Sequence, residues 1–155
     1  MHTVDDVRTL MDHWFPPQLA ESWDAPGLVC GDPADEVHRV ATALEATDEV
    51  VEAAIDSGAQ MLLVHHPLLM RGVTTVSADT PKGRLVHRLI RAGVALMAAH
   101  TNADAAVGGV NASWHGCSRC GWTVRCTQPT TPSTTSGPGQ CTCRASGGWE
   151  PCPNR

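Results

Sequence analysis

No stretch of the sequence approaches the roughly 18–20 consecutive apolar residues of a transmembrane helix, so a membrane-spanning role is not expected. The first residues, Met1-His2-Thr3-Val4-Asp5-Asp6, are acidic and lack the basic segment and apolar core of a secretory signal. An excess of positive charge is missing too. The formal net charge is −5, which argues against nucleic acid or an anionic membrane held by bulk charge. Residues 1–112 contain one cysteine, Cys30. The cytoplasm is therefore the expected location, and disulfides are disfavoured there. A length of 155 residues suggests one ordinary domain.

A second absence divides the chain. The last 43 residues hold no Leu, Ile, Met or Phe and a single Val, while Pro, Gly, Ser and Thr make up 23 of them. They also hold six cysteines. The sign of the charge changes at the same place: 7 basic against 15 acidic residues in 1–112, then 4 against 1 in 113–155. So little apolar surface cannot offset the entropy of ordering a segment. Residues 1–112 are thus expected to form a globular body and 113–155 a disordered tail.

The body reads as alternating helices and strands. Thr3 to Asp6 is a capping-box start, and Val4, Val7, Leu10, Met11 and Trp14 follow at helical spacing until Pro16-Pro17 ends the helix. The turn formers from Ser22 to Gly27 and on to Gly31-Asp32-Pro33 read as a loop. His38 to Leu44 is a predicted strand. Thr47 can cap a helix whose stripe is Val50, Val51, Ala54 and Ile55, with Gly58 at its end. Gln60 to His65 carries the continuous run Met61-Leu62-Leu63-Val64, which suits a strand buried on both faces of a parallel sheet. Pro81 can start a helix bearing Leu85, Val86, Leu89 and Ile90, and Val94 to Ala99 is another apolar strand. Strand, helix, strand, helix, strand with short connections predicts a three-layer α/β unit with a parallel sheet. Sites in such sheets form beyond the C-terminal ends of the strands.

Two strands end in the same kind of chemistry. One runs into His65-His66-Pro67, the other into His100-Thr101-Asn102-Ala103-Asp104. Imidazole and carboxylate are ligands for borderline divalent metals. Adjacent strand residues point to opposite faces, so two neighbouring histidines converge only where the chain bends, and Pro67 supplies that break. His65, His66 and Asp104 are then candidate ligands for a two-metal centre, which can clamp attacking and leaving oxygens and generate hydroxide. The same residues also read, without metal, as a solvated strand end and a loop cap. His2, His13, His38, His87 and His115 have no comparable setting and read as surface or partly buried histidines.

Four motifs in order give the body a resemblance. Ser22-Trp23-Asp24-Ala25-Pro26-Gly27-Leu28 with Gly31, Val64-His65-His66-Pro67-Leu68-Leu69, Lys82-Gly83-Arg84-Leu85, and Ala99-His100-Thr101-Asn102-Ala103-Asp104-Ala105 with Gly108-Gly109-Val110-Asn111 resemble the signatures of the NIF-three-like dinuclear metal centre family. Its members are often described as GTP cyclohydrolase 1 type 2 homologues. The resemblance covers roughly residues 4–112. It implies His65, His66 and Asp104 as metal ligands and places His100 beside the metals, to bind substrate or orient a ligand. It also implies two divalent ions (zinc, iron, manganese or nickel) and a homo-oligomer, a hexamer. Glu45 stands where the family usually has Asp. The family's remaining ligands are a His and a Glu one helical turn apart in a C-terminal half, and no His-x-x-x-Glu follows Asp104. By this resemblance the chain carries half of a dinuclear site and is expected to be impaired.

The tail has a genetic reading. With G or C at most third codon positions, residues 112–123 read one base earlier give an amphipathic helix of good formers. The same shift over Gly147 to Arg155 gives a segment similar to Arg-Val-Gly-x-Leu-Pro-Glu-Pro of the family. Residues 113–155 are therefore expected to be out-of-frame translation. The competing reading is a zinc module on Cys117, Cys120, Cys141 and Cys143, but the second pair is close-spaced and little apolar surrounds it. Two function classes follow for the body: a metal-dependent hydrolase, or a non-catalytic metal-binding or interaction protein. Turnover of a nucleotide or phosphoester would separate them.

Overall fold

The computed structural model describes residues 1–111 and, beyond them, strands β7 (Arg125–Thr127) and β8 (Thr142–Arg144). The chain divides into two compact units, Met1–Ala106 and Val107–Arg155. In the second, β7 and β8 pair antiparallel with Cys126 opposite Cys143. The disorder and zinc-module expectations for 113–155 otherwise fall outside the described residues.

The first unit opens with β1 (His2–Thr3) and α1 (Val4–Trp14). The capping box forms as the sequence requires: Asp6 N donates to Thr3 Oγ1, and the Asp6 carboxylate accepts from Thr3 N. The α1 stripe is only partly covered. Val4 and Met11 are buried, while Leu10 and Trp14 are exposed. A short turn of 3-10 helix (Pro17–Leu19) follows the Pro pair.

Three strands and two helices make the centre: β4 (Val40–Ala43), α2 (Asp48–Asp56), β5 (Met61–Val64), α3 (Pro81–Arg91) and β6 (Ala95–Ala98). β4, β5 and β6 run parallel and in register, with Ala43 opposite Val64 and Val64 opposite Ala98. Thr47 and Thr80 cap α2 and α3 by accepting from Val50 N and Gly83 N. The helices touch each other. Val51, Ala54, Leu85, Val86 and Leu89 pack with Leu62, Val64, Leu96 and Ala98 in one core. Met61, Ala95 and Met97, on the alternate face, are buried as well. β5 and β6 are thus covered on both sides, which is why their sequences are continuously apolar. Ile90 departs from its predicted stripe and stays exposed.

The loop reading of residues 22–31 needs correction. Gly27–Cys30 is a fourth strand, β2, which joins β6 antiparallel, giving the order β2-β6-β5-β4. β3 (Glu36–Val37) pairs separately with β1. The register of β2 shifts between Leu28 and Cys30, and the chain leaves at Gly31. There φ is +118°, and a Cβ would lie 2.5 Å from the Cβ of Ala95. Only glycine satisfies both the conformation and that approach.

Candidate metal centre

The C-terminal ends of β5 and β6 lie side by side, since Ala99 N donates to Val64 O. Beyond β5 the backbone stays tied to β4 for two more residues: His65 N and His66 N both donate to Leu44 O. Pro67, buried, then turns the chain. Beyond β6 comes His100 and the one-turn helix α4 (Thr101–Ala105), which carries Asp104.

This places three imidazoles together. One ring nitrogen each from His65, His66 and His100 lies within 4.8 Å of the other two. Ring centroids are 5.1 to 5.7 Å apart. The Asp104 Oδ2 atom is 3.7 Å from His65 Nε2. Among the described residues no other trio of His, Cys, Asp or Glu converges in this way. His2, His13 and His38 are exposed and His87 half-buried, away from any such group; His115 lies outside the described residues.

Hydrogen bonds decide which nitrogens are available. His65 Nδ1 lies 3.0 Å from the Ala99 carbonyl oxygen. A carbonyl only accepts, so Nδ1 carries the proton and the lone pair of the neutral ring sits on Nε2. That atom and Asp104 Oδ2 are then two electron-rich atoms facing each other across 3.7 Å. A cation shared between them is the chemistry this donor set fits, and a histidine anchored by a backbone carbonyl is the usual partner of such a cation.

His100 is held differently. Its Nδ1 donates to Asp24 Oδ1 at 2.9 Å. The Asp24 side chain is closed off from solvent within a half-buried residue, and its oxygens are saturated: Oδ1 also accepts from Ala25 N, and Oδ2 accepts from Thr101 N and from the Thr101 hydroxyl. Burial pushes the Asp24 carboxyl up, but the hydrogen bonds from Thr101, His100 and Ala25 outweigh it and hold the group below its ordinary value. Asp24 therefore takes the part of an N-cap for α4, whose own cap residue His100 supplies none. Asn102, buried, donates to Phe15 O and accepts from His100 N. Thr101 Oγ1 accepts from Glu21 N. Trp23 packs edge-on to the His100 ring at 6.0 Å.

All four residues singled out from the sequence thus meet at one place. Asp24 lies within the Ser22–Leu28 motif, where nothing local in the sequence marks a role for it. Two of its partners, His100 and Thr101, lie 76 and 77 positions away, and no spacing rule reaches so far. A shallow depression lined by Gly31, Asp32, Pro33, Ile90 and Val94 contains no imidazole and offers no comparable chemistry.

Comparison with known proteins gives consistent results. The family model for Duf34/NIF3 (NGG1p interacting factor 3) matches residues 2–118. The GTP cyclohydrolase 1 type 2 homolog of Mycobacterium tuberculosis is 58% identical over 106 residues, which are 68% of this chain and 27% of that protein. The crystal structure of Staphylococcus aureus protein SA1388 aligns with a TM-score of 0.68 at 43% identity, covering 74% of this chain and 33% of that one. Reduced HcgD from Methanocaldococcus jannaschii aligns at 0.67 with 25% identity, covering 74% and 46%. The chain thus spans about a quarter of the length of the mycobacterial relative.

Proposed function

The chain belongs to the Duf34/NIF3 family, and from that premise we propose that His65, His66 and Asp104 bind divalent metal for a hydrolytic reaction of the GTP cyclohydrolase 1 type 2 kind. The observation that carries this reading is the facing of His65 Nε2 and Asp104 Oδ2 within a cluster of imidazoles at two neighbouring strand ends. When bound, divalent metal supplies a Lewis acid and hydroxide near neutral pH. The chain's own residues do the positioning. Ala99 O orients His65, Pro67 turns His66 out of the strand, and α4 brings Asp104 alongside. The donor groups, imidazole and carboxylate, suit zinc, iron, manganese or nickel.

These ligands come from one side of a centre, and the relatives matched are much longer. The reading includes metal held by these three ligands and the homo-oligomer that the family resemblance implies. Light scattering tests the last point. The main test is metal content of the 155-residue chain after equilibration with Zn2+ or Mn2+, for wild type, His65→Ala and Asp104→Asn. Specific uptake lost in both variants is expected. Uptake unchanged by either substitution would reject the site. A panel of GTP and simple phosphoesters then separates the two function classes: hydrolysis that disappears with His65→Ala supports the hydrolase, and metal binding without turnover supports a binding or interaction protein.

A further inference from the structure

Resting on that metal reading, we propose that Asp24 is a positioning residue that acts through His100: it holds the ring so that Nε2 faces His65 and His66, making His100 a third imidazole ligand. The resemblance puts His100 only beside the metals, with no donor role, and assigns nothing to Asp24.

Three observations carry the assignment. First, the Asp24 side chain is 0% exposed, and a buried carboxylate is retained at such a cost only with its acceptor sites filled. They are filled at Oδ1 by His100 Nδ1 and Ala25 N and at Oδ2 by the amide and hydroxyl of Thr101. Second, an ionised carboxylate only accepts. The His100 proton must therefore sit on Nδ1, which leaves Nε2 as the lone-pair atom of the neutral ring. Third, the His100 ring lies as close to His65 as His66 does, with centroids at 5.1 and 5.2 Å. The carboxylate–histidine pair is the usual support of a metal-bound imidazole, fixing tautomer and ring plane. His65 obtains the same result from a backbone carbonyl. No hydrogen bond or ion pair joins Asp24 to His65 or His66; its bonds run to His100, Thr101 and Ala25, and its effect on the cluster passes through His100.

The test uses the whole 155-residue chain and Co2+ as probe. Long-range 1H–15N spectra of the metal-free wild type should show the His100 proton on Nδ1. In Asp24→Asn, whose amide can donate as well as accept, the proton should shift toward Nε2. Co2+ affinity, followed by its visible ligand-field spectrum, should fall about 10–100-fold in Asp24→Asn, and a similar loss is expected for His100→Ala. A wild-type proton on Nε2 overturns the inference with no variant needed, as does unchanged Co2+ affinity in His100→Ala. Affinity kept in Asp24→Asn but lost in His65→Ala overturns this inference and leaves the metal reading standing. A wild type that takes up no Co2+ overturns both.

Discussion

The ends of β5 and β6 present histidines to the same space but fix them by opposite means. At the β5 end the restraints come from the main chain: His65 is anchored on the Ala99 carbonyl, and two amides bind Leu44 O. At the β6 end they come from side chains: Asp24 holds His100 and Thr101, and Asn102 ties the turn to Phe15. A main-chain anchor survives substitution of almost any neighbour. A side-chain anchor is removed by one change, and the donors it leaves behind, on half-buried His100 and Thr101 and on exposed Ala25, lose their acceptor together. The β6 end is therefore where stability and ligand geometry are coupled.

The comparison breaks most directly at Asp24. Asp24→Ala leaves the His100 Nδ1 proton, the Thr101 amide and hydroxyl and the Ala25 amide without their acceptor. A loss of about 3–5 kcal/mol is expected in urea unfolding; a loss under about 1 kcal/mol would mean that the network contributes little. Asn102→Ala should come next. It removes the bond to Phe15 O and orphans His100 N, at a cost of about 2 kcal/mol by the same measurement. At the other end, His65→Ala frees only one carbonyl, Ala99 O, and should cost about 1 kcal/mol while removing metal uptake. Equal destabilisation by His65→Ala and Asp24→Ala would erase the distinction between the two ends. Smallest is Pro67→Ala. It loosens the unfolded chain more than it disturbs the fold, so the expected cost is about 0.5–1 kcal/mol, with Co2+ affinity lowered less than in His65→Ala.

What the sequence made legible follows the range of the interactions involved. Helix starts at Thr3, Thr47 and Thr80 are set by side chains three residues from the amides they accept, so a local pattern reveals them. β5 and β6 are readable because burial on both faces leaves an unbroken apolar run. β2 is not: its pairing is with β6, Gly27 opposite Ala98, and its four half-buried residues sit among turn formers. Ile90 and Leu10 show the limit of periodicity, which states that a stripe exists and not how far a neighbour covers it. His65, His66 and Asp104 were visible as ligand types at strand ends. The closeness of His100 to the pair depends on the in-register alignment of β5 with β6, and that of Asp24 on the antiparallel pairing of β2 with β6, which sets Gly27 opposite Ala98. Neither is encoded in spacing.

The long separations in this network also bear on the order of assembly. Asp24 reaches His100 across 76 positions, Glu21 reaches Thr101 across 80, and Phe15 reaches Asn102 across 87. Closing loops of that length is entropically costly before the contacts form. The β4–α2–β5–α3–β6 segment can nucleate on nearer contacts, so the loop carrying Asp24 docks late. Substitutions in it should speed unfolding and leave the folding rate nearly unchanged, a φ-value near zero. A cation meeting the chain midway through folding would encounter His65 and His66 as neighbours already, with the third imidazole still to be locked in place.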